Sequence, residues 1–461
     1  MSTQRLTRVG DHGRAAPPVR LVHLGLGSFF RAHQAWYTER APDADGWGIA
    51  AFGGRGNELA RALDAQDGLY TLVERGTDGD RHEVIGSVAR AHGGDDHDAW
   101  LDCFAAPDLA AVTITVTEAG YVRNAEGGLD MDDAGVRTDL AALRSSPRAL
   151  VRTAPARLVA GLAERRAADA GPITVVPCDN VAGNGAIVRR VLQDLAGAVD
   201  PDLAEWIEST VAIASTMIDR ITPRTENDDI RSVTAETGID DRCPVVTEPF
   251  HEWVIEGSFP AGRPAWDDAG ALLVDDVEPY EHRKLWLLNG AHSLLAYAGS
   301  TRGHTTVAEA VADDTCRAWV DAWWDEAAAH LSHPETELAE YRGALAERFA
   351  NARIRHLLVQ IAADGSQKIP IRTLPVLRAE RVAGRLPTGT TRVVAAWLGH
   401  LRGSGAPVVD ARAAAMASLV DGPVAAAAQR LLGWMDPALA EDREVVATVA
   451  DQCAELTATR P

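Results

Sequence analysis

Two lysines, Lys284 and Lys368, are the first candidates for chemistry in this sequence. The 461 residues include 45 lysines and arginines, and all but these two are arginine. An arginine guanidinium keeps its proton at any working pH, whereas a lysine ammonium can release its proton when burial or a neighbouring charge lowers its pKa. A lysine in so arginine-rich a chain is therefore a candidate for proton transfer, although drift in composition alone would also leave a few lysines.

Lys284 shares a predicted helix with Asn289 and His292 in the segment KLWLLNGAHSLLAYAG. At about 100° per residue of an α-helix, Asn289 and His292 lie about 140° and about 80° from Lys284, so the three side chains share one arc. Lys284 would act as a general base if burial lowered its pKa from ~10.4 towards ~7–8. An asparagine amide can donate to a forming alkoxide, and a histidine can hold a substrate hydroxyl. The structural alternative is a lysine that reaches solvent, a local asparagine cap and a buried histidine with internal partners.

A second polar group follows the apolar segment ITVVPC in the sequence DNVAGNG. Asp179, Asn180 and Asn184 come just after the end of this predicted strand, where α/β enzymes place functional residues. Turn formation is the alternative, and the pair Asn184-Gly185 suits a turn well. Asn180 is the stronger functional candidate because it lies nearer to the strand.

A glycine turn opens the first strand–helix unit. Gly25-Leu26-Gly27 follows the predicted strand VRLVHL and precedes a predicted helix. The first glycine permits a tight turn, and the second lets backbone N–H groups approach a pyrophosphate at the helix N-terminus. Phe30 stands where a dinucleotide fingerprint has its third glycine, so an ordinary tight turn is the alternative.

The segment after the second predicted strand, AFGGRGNELA, leaves the choice of cofactor open. An acidic residue there would bind the ribose 2′-hydroxyl of NAD, whereas an arginine would accept the 2′-phosphate of NADP. The segment offers Arg55, Asn57 and Glu58. Arg55 is taken as a cofactor-side candidate.

The pattern of apolar residues predicts three regions: a loose polar lead-in over 1–18, an α/β domain over 19–275 and a helical domain over 276–461. Strands alternate with helices in the middle region, which is typical of a parallel sheet. The predicted strands are VRLVHL, 47–54, 69–75, 82–88, 109–121 and the start of 173–185. Helical periodicity dominates after residue 275, as in 308–331 and 390–403.

Composition excludes several classes of partner. Acidic residues outnumber basic ones by 66 to 45, and a net charge of −21 is unfavourable for binding nucleic acid or anionic lipid. No apolar run approaches the ~20 residues of a membrane span, and the N-terminus has no secretory apolar stretch. The five cysteines are scattered, which indicates reduced thiols in the cytoplasm and no clustered metal ligands.

The sequence resembles the mannitol dehydrogenase family, the polyol-specific long-chain dehydrogenases, from about residue 19 to residue 400. The segments that carry the resemblance are GLGSFFRAHQAWYTE, TEAGY, CDNVAGNG, TMIDRITP, EPFHEWVIE, GRPAW, KLWLLNGAHSLLAYAG and DGSQKIPIR. It implies a Rossmann-type N-terminal domain, a mainly α-helical C-terminal domain and an active site between them. It also implies hydride transfer without a metal, with NAD or NADP, by a monomer or small homo-oligomer.

The resemblance assigns roles to individual residues. Lys284 matches the general base, Asn180 and Asn289 match the pair that stabilises the alkoxide, and His292 matches the residue that positions the substrate. Glu281 matches a glutamate that controls proton exchange between the lysine and solvent. The positions that match the cofactor side are Gly25, Leu26, Gly27, Ser28, Phe29, Glu118 and Asp219.

The substrate stays open between several sugars. Lys368 and Arg372 in DGSQKIPIR either hold a substrate carboxylate or brace their loop in every member of the family. A polyol of the mannitol/fructose type is favoured. The alternatives are a fructuronate or tagaturonate reductase, a mannitol 1-phosphate 5-dehydrogenase and, from another class, a dinucleotide-binding sensor without catalysis.

Overall fold

The computed structural model of the chain describes residues 4–10, 14–54 and 56–458. The chain divides into two compact units, Met1–Glu278 and Pro279–Pro461. The sequence predicts a boundary between residues 275 and 276, a few residues before this division.

The first unit contains all the strands that the structure describes. In chain order they are β1 (Gln4–Arg5), β2 (Val19–Leu24), β3 (Gly48–Phe52), β4 (Tyr70–Gly76), β5 (Gly79–Ile85), β6 (Val88–His92), β7 (Ala111–Ile114), β8 (Ile173–Pro177), β9 (Val211–Ile213), β10 (Ser215–Asp219), β11 (Ile239–Asp240), β12 (Val245–Thr247), β13 (Glu252–Glu256) and β14 (Leu272–Val274). Its helices are α1 (Ser28–Ala32), α2 (Gln34–Arg40), α3 (Glu58–Asp64), α4 (His97–Ala105), α5 (Ala134–Ser145), α6 (Ala154–Ala167), α7 (Asn184–Val199), α8 (Pro201–Thr210) and α9 (Asn227–Thr237). Short 3-10 helices cover Arg8–Gly10, Ala44–Gly46 and Glu118–Tyr121.

Six parallel strands form the central sheet of this unit, in the order β6-β3-β2-β7-β8-β9. This is the doubly wound order of dinucleotide-binding domains, in which the chain starts in the middle and builds outward in both directions. The order reverses between β2 and β7, so the ligand crevice is expected at their carboxyl ends. The strands β3, β7 and β8 are buried along their whole length, as parallel strands covered on both faces should be.

Three smaller sheets flank the central one, with orders β10-β13-β14, β12-β4-β5 and β1-β11. Strands β4 and β5 form an antiparallel hairpin, so the predicted strand 69–75 belongs outside the parallel sheet. The predicted strand 82–88 covers the end of β5 and the first residue of β6. Sequence alternation marks a strand correctly here but says nothing about which sheet it joins.

The expectation of a loose lead-in is wrong for residues 4–10. Strand β1 pairs with β11 in parallel, and Leu6 is fully buried. The guanidinium of Arg8 donates to the backbone oxygens of Asp67, Gly86 and Val88. These partners come from distant parts of the chain, and a polar segment gives no sign of them.

The second unit is helical throughout its described residues, apart from one isolated bridge between Thr306 and Leu357. Its helices are α10 (Glu278–Arg283), which begins at the unit boundary, α11 (Ala291–Leu294), α12 (Val307–Ala312), α13 (Asp314–Ala328), α14 (Glu335–Ala350), α15 (Leu358–Ala362), α16 (Gly365–Arg372), α17 (Leu374–Val382), α18 (Thr388–Leu401), α19 (Ala413–Leu419), α20 (Val424–Met435), α21 (Pro437–Glu441) and α22 (Arg443–Ala458). Two π-helical segments, Lys284–Gly290 and Leu295–Gly299, flank α11.

The segment 308–331, in which the sequence shows helical periodicity, contains two helices in the structure. Asp313 ends α12 and caps α13, since its carboxylate accepts the backbone N–H of Thr315 at 2.9 Å. An N-cap aspartate is a strong helix start, and it interrupts the apolar period here. None of the described helices has both the length and the apolar character needed to cross a membrane.

Candidate active site

The segment that carries Lys284, Asn289 and His292 is not a plain α-helix. Residues Lys284–Gly290 form a π-helix, in which each N–H bonds the carbonyl five residues earlier. The calculation at about 100° per residue is therefore wrong for this segment. Asn289 lies five residues after Lys284, about one π-turn along the helix, which brings the two side chains closer in angle than an α-helix would.

Two tryptophans of α13 donate hydrogen bonds to backbone carbonyl groups of the π-helix. The indole N–H of Trp323 donates to the carbonyl oxygen of Trp286 at 2.9 Å, and that of Trp324 donates to Leu287 at 2.8 Å. Both indoles are almost fully buried. A π-turn leaves carbonyl groups out of the α-helical pattern, and buried carbonyls need partners. The sequence gives no hint of this pairing, because the partners lie 37 residues apart.

Gly290 makes this close approach possible. A Cβ at Gly290 would lie 2.5 Å from Cζ2 of Trp323, too close for any side chain. The indole of Trp323 can therefore pack against the π-helix only because residue 290 is glycine.

Lys284 and His292 are both buried, with 9% and 6% of their surfaces exposed. The His292 ring lies 4.8 Å from the Phe349 ring and 4.9 Å from the His356 ring, measured between centroids. Burial, followed by the charges of neighbouring basic groups that include Lys284, holds the pKa of His292 well below its usual value. His292 is therefore neutral at pH 7, able both to donate and to accept a hydrogen bond.

Arg372 and Lys368 make their contacts with protein groups. Nη1 of Arg372 donates to the carbonyl oxygen of Asn289 at 3.2 Å and to Oγ of Ser293 at 3.0 Å. Nζ of Lys368 donates to the carbonyl oxygens of Ile361 at 3.2 Å and Ala363 at 2.6 Å, at the end of α15. These contacts fit the interpretation of both residues as braces of the loop and of the π-helix better than the carboxylate interpretation.

Glu281 and its neighbours lead into the π-helix. Glu281 is half-buried in α10, three residues and about one turn before Lys284, on the same face. The guanidinium of Arg283 lies 4.2 Å from the ring centre of Tyr341 and 5.1 Å from that of Tyr280. Cation–π contacts of this kind fix the end of α10.

The glycine turn of the first unit lies at the reversal of strand order. The N–H groups of Gly25 and Leu26 donate to the carbonyl oxygen of Phe52, at 3.0 and 2.9 Å. Gly25 has a φ of +117°, and a Cβ there would overlap the carbonyl oxygen of Thr115 on the neighbouring strand. Gly27 starts α1 with an extended backbone, and its place tolerates a Cβ.

The buried His23 is linked to this turn through hydrogen bonds. Oγ1 of Thr115 donates to the carbonyl oxygen of Gly25 at 2.9 Å, so it accepts from Nε2–H of His23 at 3.0 Å. Nδ1 of His23 then accepts from Oγ1 of Thr113 at 2.8 Å. Phe30, which replaces the third fingerprint glycine, stacks on the His23 ring at 3.7 Å between centroids. The phenyl ring therefore packs the helix against the strand where a glycine would allow closer approach.

The loop after β8 is organised by its buried polar residues. Asp179 accepts the phenolic O–H of Tyr121, from the TEAGY segment, and the backbone N–H of Val181 at 3.2 Å. The side chain of Asn184 is fully buried and pairs twice with the backbone of Thr216, at 2.9 and 3.0 Å. Asn180 is exposed on the same loop. Asp179 and Asn184 therefore build the loop, and Asn180 is the residue that the loop presents.

The other predicted cofactor-side residues fall in different places. Glu118 is exposed in the loop after β7, paired with Arg123 at 2.9 Å. Asp219 is buried at the end of β10, in a sheet other than the parallel one. Ser28 and Phe29 are half-buried at the start of α1. Arg55 lies outside the described residues.

Three potential metal ligands lie close together in the second unit. The spacing of the cysteines in the sequence does not predict this cluster. One ligand atom from each of His304, Asp313 and Cys316 lies within 4.8 Å of the others. The guanidinium of Arg302 already pairs with Asp313 at 2.7 Å, and Asp313 caps α13. A resident cation would have to compete with that arginine, so the cluster is explained by helix capping and ion pairing.

Comparison with known proteins defines the class to which this fold and site belong. Two family models match the chain. The model described as the Mannitol dehydrogenase Rossmann domain matches residues 19–268, and the model described as the Mannitol dehydrogenase C-terminal domain matches residues 276–455. The chain belongs to the mannitol dehydrogenase family and is an oxidoreductase. The family, the Rossmann-type α/β domain and the helical second domain predicted from the sequence are confirmed.

Particular relatives cover most of the chain. D-mannonate oxidoreductase of Escherichia coli (strain K12) is 39% identical over 85% of this chain and 82% of its own length. D-arabinitol 4-dehydrogenase of Ralstonia nicotianae is 40% identical over 84% of each chain. The solved ternary complex of Pseudomonas fluorescens mannitol 2-dehydrogenase with NAD and D-mannitol is 34% identical, with a TM-score of 0.81 over 95% of this chain and 92% of that one.

Proposed function

We propose that this chain is an NAD-dependent dehydrogenase that interconverts a secondary alcohol of a sugar polyol and the matching ketose, of the mannitol/fructose type, without a metal. The observation that carries the proposal is the burial of Lys284 in a π-turn that also holds Asn289, with His292 close by. Lys284 is one of only two lysines in the chain, and burial is a condition that favours the neutral form of a lysine. The related mannitol 2-dehydrogenase complex holds NAD and D-mannitol, which supports the choice of ligands.

Lys284, Asn180, Asn289 and His292 supply the proton chemistry in this proposal. Neutral Lys284 accepts the proton of the alcohol, and the amides of Asn180 and Asn289 donate to the oxygen as negative charge develops. Neutral His292 binds another hydroxyl of the sugar. Glu281, one turn before Lys284, returns the proton to solvent. In the reverse direction the Lys284 ammonium is the acid.

The glycine turn is the place that fits a dinucleotide. Bound there, NAD supplies the hydride acceptor. The reversal of strand order and the left-handed Gly25 just before α1 support this placement, since the first N–H groups of a helix suit a pyrophosphate. The residues proposed to line the cofactor are Gly25, Leu26, Gly27, Ser28, Phe29, Arg55, Glu118 and Asp219.

A sugar acid is the second candidate substrate. The similarity to a D-mannonate oxidoreductase favours it. The contacts of Lys368 and Arg372 with backbone and hydroxyl groups count against a carboxylate site made by these two residues. A neutral polyol is therefore placed first. Cytoplasmic location and a monomeric or small homo-oligomeric state stay predictions.

The experiment is a substrate panel read at the nicotinamide absorbance. D-mannitol, D-arabinitol, D-sorbitol, D-mannonate, D-fructose and D-fructuronate are each tested with NAD(H) and NADP(H), before and after exhaustive chelation. We expect the highest kcat/KM with a mannitol/fructose-type pair and NAD(H), unchanged by the chelator. Absence of nicotinamide turnover with every pair would contradict the proposal, and loss of activity on chelation would contradict its metal-free part.

A further inference from the structure

His356 is a second histidine beside the proposed substrate contact, and the proposed reaction gives it no role. It lies in the loop between α14 and α15. Its ring meets the His292 ring edge-on, with centroids 4.9 Å apart and planes 80° apart. Neither the glycine motif nor the Lys284 helix points to this residue in the sequence.

The loop that carries His356 is fixed by backbone hydrogen bonds on both sides. The carbonyl oxygen of His356 accepts the N–H of Val307 at 3.0 Å, and its own N–H donates to Ile354 at 2.8 Å. The neighbouring Leu357 forms a bridge with Thr306. A fixed backbone lowers the conformational entropy that the loop would lose when its side chains bind a ligand.

Each of the two imidazoles has a buried nitrogen with no partner among the described residues. These atoms are Nε2 of His292 and Nδ1 of His356. His292 as a whole is 6% exposed. A buried polar atom without a partner costs roughly 1–3 kcal/mol. Other described residues, His333 among them, also have such atoms, so the contact between the two rings is what distinguishes this pair. Two such atoms on adjacent rings make a shared ligand the economical explanation.

The chemistry of the two rings suits neutral hydroxyl groups. Burial, and then the charge of Arg348, lowers the pKa of His356 to about 4, and His292 is also neutral at pH 7. The charged groups that face this pair are Arg348 of α14, Arg372 of α16 and Lys284 of the π-helix, all of them basic. A neutral imidazole has one N–H donor and one acceptor nitrogen, and a hydroxyl group can complement either. Two rings therefore match two hydroxyl groups.

We propose that His356 is a second substrate-binding histidine, and that His292 and His356 each bind one of two neighbouring hydroxyl groups of the sugar. This inference rests on the proposed function, because it takes His292 as a substrate contact. It adds a specificity determinant: the pair selects sugars with two adjacent hydroxyls at that end and disfavours analogues that lack either one.

The test compares variants with substrates that lack single hydroxyls. His356→Phe keeps the ring and removes both nitrogens, whereas His356→Asn keeps an amide near the position of Nδ1. Each is assayed with D-mannitol and with its monodeoxy analogues. We expect His356→Phe to raise KM for D-mannitol about 10-fold, the loss of one buried hydrogen bond, with a smaller change in kcat. His356→Asn should recover part of the loss.

The deoxy series separates a contact from a packing effect. One analogue should have a high KM with the unchanged enzyme and show no further increase with His356→Phe, because the hydroxyl and its partner are then both absent. His333→Phe is the matched control, since His333 is also half-buried with unpartnered nitrogens but packs on Tyr280. Its KM for D-mannitol should stay within about 2-fold of the unchanged value.

Two outcomes would overturn the inference, and they differ from failure of the proposed function. An unchanged KM for D-mannitol in a folded His356→Phe protein, or an equal increase for every deoxy analogue, contradicts a contact by His356. If His292→Phe raises KM in the same assay, the proposed function survives that result. If both variants leave KM and kcat for D-mannitol unchanged, neither histidine contacts the substrate and the inference is wrong, whereas absence of turnover by the unchanged protein would contradict the proposed function. Should His356→Phe fail to fold, His356→Leu, which also lacks both nitrogens, carries the same comparison.

Discussion

The two units carry their candidate functional residues in different ways. In the first unit the candidate functional feature is the path of the backbone, since Gly25 takes a left-handed conformation against Thr115 just before α1. In the second unit the side chains are the functional feature, and the helix that carries Lys284 and Asn289 has an irregular register. That register is supported by Trp323 and Trp324 from another helix.

This difference explains what a sequence can reveal. A site that is defined by the path of the backbone depends on residues close together in the chain, so the spacing of its glycines reveals it in the sequence. A site defined by side chains on a π-helix depends on donors far away in the chain, so helical periodicity identifies the residues but gives the wrong angles. Each prediction below changes one unit and leaves the other intact.

Replacing Gly25 by alanine should have the largest effect on stability. The added Cβ would overlap the Thr115 carbonyl in a left-handed backbone, so the free energy of unfolding should fall by about 2–4 kcal/mol and NADH binding should weaken markedly. Denaturant unfolding and NADH fluorescence titration measure both. Gly27→Ala is the matched control for stability, because the nearest atom to a Cβ there is 3.5 Å away and the backbone is extended. An equal loss of stability in the two variants would contradict the strain assigned to Gly25.

His23, beneath the same turn, should make the first unit sensitive to acid. Burial lowers the pKa of His23 from 6.5 to about 3. The unfolded chain therefore binds a proton below pH 6.5 that the folded chain does not, and stability is lost as the pH falls from 6.5 towards 3. His23 alone should lower the free energy of unfolding by about 2 kcal/mol between pH 7 and pH 5. The measurement is denaturant unfolding at both pH values for the unchanged protein and for His23→Gln. A slope that His23→Gln leaves unchanged would assign the acid sensitivity to other groups.

Lys368→Met in the second unit should have the smallest effect. If Lys368 braces the end of α15, the substitution costs about 1 kcal/mol of stability and changes KM for each substrate by less than about 3-fold. Thermal unfolding and steady-state kinetics with D-mannitol and D-mannonate measure this. A selective rise of KM for D-mannonate at unchanged stability would instead make Lys368 a carboxylate contact and move the substrate assignment to a sugar acid.

Much of the architecture could be predicted from the sequence. The apolar strands before Gly25 and Asp179 and the helical character after residue 275 follow from local periodicity. The pairing of β1 with β11 and the exclusion of β4 from the parallel sheet could not be predicted, because they depend on partners distant in the chain.

The candidate site shows the same limit. Lys284 stands out because it is one of two lysines, and its neighbours Asn289 and His292 follow from spacing. His356, Trp323 and Trp324 have no sequence signal of their own, since their importance comes only from what they touch. The resemblance to a family supplied the roles of Glu281 and Asp219, which no spacing argument reaches.

The most direct test of the account is Lys284→Ala measured in two ways on the same preparation. If Lys284 of the second unit is the general base and the first unit holds the dinucleotide, turnover of the best substrate should fall by about 10²–10⁴-fold, the usual contribution of a general base. The Kd for NADH should stay within about 2-fold of that of the unchanged protein. A turnover near that of the unchanged protein would contradict the assignment of Lys284, and a parallel loss of NADH binding would contradict the separation of roles between the two units.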